Sequence, residues 1–109
     1  MSANLAGGLP QGEANGLAAI TRQLVETPDR IHVAIVLLDC SKITTKVDAD
    51  DIIPTARIRR IEVISDPTDG HRMRTLLRRE FERRTGKTVL PFALEEDLRA
   101  AFGEDSTEG

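Results

Sequence analysis

The chain has 109 residues, a formal charge of −3, 39% hydrophobic residues and 30% charged residues. That is the size of one domain and the composition of a folded chain rather than a disordered one. The longest apolar run, Val33 to Leu38, falls far short of the roughly 18 to 20 residues that a membrane-crossing helix needs.

Cys40 is the only cysteine, so no internal disulfide framework exists. Residues 1–16 lack the basic start and apolar middle of a secretory signal. Both features favour a cytoplasmic protein. Trp and Tyr are absent, and Phe81, Phe92 and Phe102 are the only aromatics, so Ile, Leu and Val must build the core. Charge is uneven along the chain. Arg57 to Lys87 holds ten basic and five acidic residues, while the remainder carries five basic and thirteen acidic ones. A basic middle between acidic flanks is the clearest global signal.

In chain order, residues 1–16 are small, polar and glycine-rich, and read as a flexible segment. Leu17, Ile20 and Leu24 recur at helical spacing, which predicts a short helix over 17–25 that Pro28 stops. Ile31 to Leu38 is β-branched and apolar on both alternating faces. This predicts a central strand covered on two sides, running on to Val47 with a more polar, alternating pattern. Asp48, Asp50 and Asp51 predict a turn. Ile52 to Ile64 predicts the returning strand of a hairpin, with Pro54 confined to its start or to an edge.

Asp66 and Pro67 predict a helix start, by side-chain capping and by a residue that needs no amide donor. Met73, Leu76, Leu77 and Phe81 form the apolar stripe of that helix, and Gly86 stops it. Val89 to Phe92 reads as a short strand or packed loop. A second helix follows over 94–102, with Glu95, Glu96 and Asp97 in its first turn, where the helix dipole favours acids. The expected fold is therefore α+β. A small antiparallel sheet on a long hairpin (31–47 and 53–64) packs against an amphipathic helix (67–85), with a short C-terminal helix (94–102). The expected organisation is a flexible segment (1–16), one domain (17–102) and a disordered acidic tail (103–109).

The sharpest candidate site is a basic surface of Arg57, Arg59, Arg60, Arg74, Arg78 and Arg83. The guanidinium fork suits phosphate, and a row of such groups binds a nucleic-acid backbone through salt-sensitive contacts. Against this, Arg78–Glu82 and Glu80–Arg84 have the spacing to pair within the helix, and Glu62 lies near the hairpin arginines. The acidic turn lacks the glycine and the final glutamate of a calcium loop. Asp66, Asp69 and His71 cluster at the helix start, where capping explains the aspartates. His32 reads as a half-buried histidine bonded to backbone, and Cys40 as a small buried thiol. No phosphate loop, nucleophile elbow or paired-cysteine pattern occurs. The sequence thus assigns no catalytic residue, no metal ligand and no cofactor.

The stretch Pro54-Thr55-Ala56-Arg57-Ile58-Arg59-Arg60-Ile61-Glu62, the arginine-rich helix and Leu94-Glu95-Glu96-Asp97-Leu98-Arg99-Ala100-Ala101-Phe102 resemble small accessory proteins of actinobacteriophages. The resemblance implies a non-enzymatic phage protein in the host cytoplasm, and carries over no functional residue. Two functions lead, ahead of an enzyme that would need His71, Asp66, Asp69 or Glu62 to converge in a pocket. One is nucleic-acid binding through the arginine surface. The other is a protein-interaction module, either a homodimer or a partner of a phage or host protein. The two-sided apolar strand motivates the second, because two short helices cannot cover both of its faces.

Overall fold

A computed structural model of the chain describes residues 2–47, 51–88 and 91–102. The elements run β1 (Asn4–Leu5), two 3₁₀ turns (Gly12–Ala14 and Gly16–Ile20), α1 (Thr21–Glu26), β2 (Val33–Lys46), β3 (Asp51–Ile64), a 3₁₀ turn (Pro67–Asp69), α2 (Gly70–Thr85) and α3 (Phe92–Phe102). The fold is α+β, with a long β2–β3 hairpin. The chain divides into two compact units. One comprises the residues up to Arg22 with Ala34–Val63, and the other Gln23–Val33 with the chain from Ile64 onward.

In the first unit the strands lie in the order β1-β3-β2. The sheet is mixed rather than purely antiparallel, because β1 runs parallel to β3, with Asn4 opposite Thr55 and Leu5 opposite Ala56. Ala6 N–H continues the contact to the Ala56 carbonyl at 2.8 Å. Both residues of β1 are exposed, so no hydrophobic pattern announces the strand. Farther along, Asn15 bridges in parallel to Ile61. The next residue must be glycine, since a Cβ on Gly16 would lie 2.5 Å from the Ile61 carbonyl oxygen. Ile20, Thr55 and Ile61 are the buried residues of this unit.

Pro54 sits inside β3, as its fourth residue, rather than at its start. Pairing with β1 begins only at Thr55, so Pro54 lies where a missing donor is tolerated. The larger departure from expectation concerns β2. It is an edge strand, bonded only to β3 among the described residues, and not the central strand that its composition predicts.

In the second unit, Asp66 accepts from Thr68 N–H at 3.0 Å and Pro67 opens the 3₁₀ turn that leads into α2. Hydrogen bonding from Thr68, by its backbone N–H first and its side chain second, holds the Asp66 carboxyl below the usual range. Gly86 ends α2 in the left-handed region at φ 77°, its N–H donating to the Glu82 carbonyl at 2.8 Å. The C-terminal helix begins two residues earlier than its acidic turn suggests. Leu98 and Ala101 bury its inner face. Gly70 lies so near Phe102 that a Cβ there would stand 2.9 Å from the Phe102 Cγ. The expected α2 stripe holds for Met73, Leu77 and Phe81, which are half-buried, but Leu76 is exposed. The early helix is real but split, 3₁₀ over Gly16–Ile20 and α over Thr21–Glu26. The acidic turn at 48–50, Val89–Leu90 and the tail 103–109 lie outside the described residues.

Candidate interaction surface

Two β-branched or apolar strands of fourteen residues make the hairpin, yet they differ in burial. β3 buries Thr55 and Ile61; β2 buries nothing, and only Val33 and Asp39 are even partly covered. Ile35 is 48% exposed, Val36 38%, Leu37 57% and Leu38 53%. Successive residues of a strand face opposite ways, so Ile35 and Leu37 share one face and Val36 and Leu38 the other. Over this run both faces of β2 are therefore apolar and open to solvent, and among the described residues its outer edge has no strand partner. Ile43 and Ile52, nearer the hairpin tip, are also exposed.

Asp39 closes this apolar run. Its carboxylate accepts from Arg57 Nε at 2.9 Å and Arg57 Nη2 at 2.7 Å, a two-pronged pair, and from Arg59 Nη1 at 2.9 Å. The fork of Arg57 matches the carboxylate geometry and is the strongest of these contacts. Hydrogen bonding from Arg57, the largest influence, outweighs the opposing desolvation and, with Arg59 adding to it, lowers the Asp39 carboxyl from 3.8 to about 2. Sequence reasoning missed Asp39 because it lies eighteen positions before Arg57 and meets it only across the hairpin.

The six arginines proposed as a polyanion surface divide between the two units, and each has an acidic neighbour. In the first unit Arg57 and Arg59 hold Asp39, while Arg60 lies 3.5 Å from Glu62 and donates to the Glu13 carbonyl. In the second unit Arg74 and Arg78 flank Glu95 of α3 at 3.9 and 3.7 Å, and Arg83 pairs with Glu80 one turn earlier. The expected Arg78–Glu82 and Glu80–Arg84 pairs give way to these: Arg78 turns to Glu95 of α3, and Glu80 takes Arg83 of its own helix. Arg84 instead stacks 5.7 Å from the Phe81 ring centroid.

A different part of α2 is open. Thr68, His71, Arg72, Thr75, Leu76 and Arg79 line a shallow groove of about 620 Å³. Arg72 reaches Asp69 only at 4.0 Å, and Arg79 has no ionic partner among the described residues.

The residues weighed for chemistry are scattered. Cys40 is exposed rather than buried, its Sγ 3.2 Å from the Lys42 carbonyl. The His32 Nε2 is buried but has no hydrogen-bond partner among the described residues, contrary to the backbone bond expected of it. Asp66 is engaged as a cap and Asp69 faces Arg72. Among the described residues no group of three His, Cys, Asp or Glu side chains could hold a metal ion. No helix among them is long and apolar enough to cross a membrane. Comparison with family models, curated proteins and solved structures finds no match.

Proposed function

We infer that this chain is a protein-interaction module that self-associates, with β2 as its contact strand. One observation carries the reading: a fourteen-residue edge strand with apolar, exposed side chains on both faces. Folded monomers rarely leave a contiguous apolar patch larger than a few hundred Å². They also shield open edges with prolines, charges or short strands, and the segment Val33 to Leu38 carries neither proline nor charge. Edge and faces together offer backbone hydrogen bonds for affinity and side chains for specificity. Sedimentation velocity across a wide concentration range tests this. The expected result is a mass above that of one chain that falls on dilution. A single species of monomer mass throughout would sink the reading.

A second reading, binding of a nucleic-acid backbone, draws on the open groove of α2. Its support comes from Arg72 and Arg79, with His71 and Thr75 beside them, rather than from the six arginines tied to carboxylates. Anisotropy of labelled single- and double-stranded DNA and RNA at low salt tests it. Binding that weakens with salt and with Arg72→Ala plus Arg79→Ala is the expected outcome. No binding to any of them would remove it.

A further inference from the structure

We propose that β2 pairs antiparallel with β2 of a second copy across a two-fold axis at Val36. The inference rests on self-association through β2 and adds the partner, the symmetry and the register.

A two-fold axis that joins two sheets edge to edge stands normal to the sheet. It keeps each face on its own side. Residues opposite one another across the seam must then come from the same face, so the axis passes through a residue and not between two. Charge then weighs against several choices along β2. An axis at Asp39 sets two aspartates opposite each other. An axis at Lys42 or Lys46 sets two lysines opposite, and one at Thr44 sets Lys42 opposite Lys46. Like charges directly opposite destabilise a strand pair. An axis at Leu37 or Leu38 places Asp39 opposite Ile35 or Leu37. An axis at Cys40 sets Lys42 opposite Leu38 and Lys46 opposite Ala34.

At Val36 the pattern is self-complementary. Val36 meets its own copy, Ile35 meets Leu37, and Ala34 meets Leu38. Every side chain of the run Ala34–Leu38 then gains an apolar partner, and these are the exposed residues of the strand's first half. Asp39 reaches only the far end of the seam, opposite Val33. The two Asp39 carboxylates stand six residues apart along the seam, roughly 20 Å at ordinary strand rise. Each is already neutralised by its own Arg57 and Arg59, so two copies approach without two uncompensated acids. Lys42 and Lys46 fall beyond the paired segment, where they keep the remaining edge from extending the seam.

Disulfide trapping in the full chain tests the register. In an antiparallel pair the residue on the axis meets its copy at a Cα separation of about 4.5 to 5.5 Å, which a disulfide spans. Val36→Cys in a Cys40→Ser background is expected to form a covalent dimer under mild oxidation. The native Cys40, offset by eight residues from its copy, is expected to form none within the dimer. Val36→Lys sets two ammonium groups on the axis and is expected to weaken association by about thirtyfold or more. Ile43→Lys, on the same strand but outside the seam, is expected to change it by less than about threefold. The three outcomes separate the claims. A monomeric native chain overturns both self-association and this seam. A native dimer that traps through Cys40, or fails to trap at position 36, overturns the seam and leaves self-association standing. Trapping at position 36 supports both, even where Val36→Lys does not fold.

Discussion

β2 and β3 are two halves of one hairpin, equal in length and alike in β-branched content, yet only β3 has buried residues. The difference lies in their neighbours. β3 has β2 on one side and, on the other, a chain that touches it at Thr55, Ala56 and Ile61 through backbone. β2 has β3 alone. Strand composition reports how much apolar surface a segment would bury, and not which molecule buries it. A two-faced apolar strand reads the same at the centre of a sheet and at an edge that a second chain covers.

The largest expected effect sharpens this contrast directly. Ile61→Ala, in β3, removes a side chain that is 8% exposed and is expected to cost about 2 to 4 kcal/mol of stability. Leu37→Ala, in β2, removes one that is 57% exposed, and in dilute, monomeric protein is expected to cost under about 0.5 kcal/mol. Urea denaturation at low concentration measures both. At high concentration the gap is expected to narrow, because association adds a contribution from Leu37 that the monomer lacks. Equal costs in dilute protein would mean that β2 is covered after all.

Gly16→Ala comes next. The added Cβ meets the Ile61 carbonyl at 2.5 Å, and backbone cannot swing aside as a side chain can. A loss of about 1 to 3 kcal/mol is expected. Amide exchange should rise at Ile61 and its neighbours, and stay unchanged along the outer edge of β2. Exchange that rises equally on both strands would break the distinction drawn between them.

How much of this was legible in the sequence follows from the same physics. The hairpin, α2 and α3 announce themselves through local signals: alternation, a capping aspartate before Pro67, and Gly86 at a positive φ. β1 and the Asn15 bridge bind through backbone on exposed residues, so pattern reading had nothing to detect. The arginines were visible, and so was Glu62 beside Arg60, but the partners from elsewhere in the chain were not. Asp39 and Glu95 meet them only after the hairpin and the α2–α3 packing form, and charge counted along the chain cannot anticipate either. That is why six arginines chosen for phosphate turn out to be holding carboxylates, while Arg72 and Arg79 face outward.

Asp39→Asn offers a smaller effect that probes the same boundary. It is expected to release Arg57 and Arg59 from a full negative charge and to raise affinity for polyanions several-fold at low salt, checked by anisotropy against the native chain. Unchanged affinity would show that these arginines are not accessible to a polyanion even when freed.

The smallest expected effect is the acid response of β2. Arg57 and Arg59 hold the Asp39 carboxyl at about 2, against an ordinary 3.8. Because the folded value is the lower one, the folded state gains from the charged pair above the unfolded value. That gain is fully present above about pH 4 and is lost as the pH falls to about 2. Asp66, also lowered, contributes in the same direction from the other unit, so the difference between the native chain and Asp39→Asn isolates the hairpin. Their stability difference is expected to shrink steadily across that window. Ile35 to Leu38 are themselves uncharged, and the exchange of their amides should change little relative to the variant. If protection at Val36 collapsed together with the Asp39 titration, the apolar run would depend on the ion pair, and the charged and apolar halves of β2 could no longer be treated as separate devices.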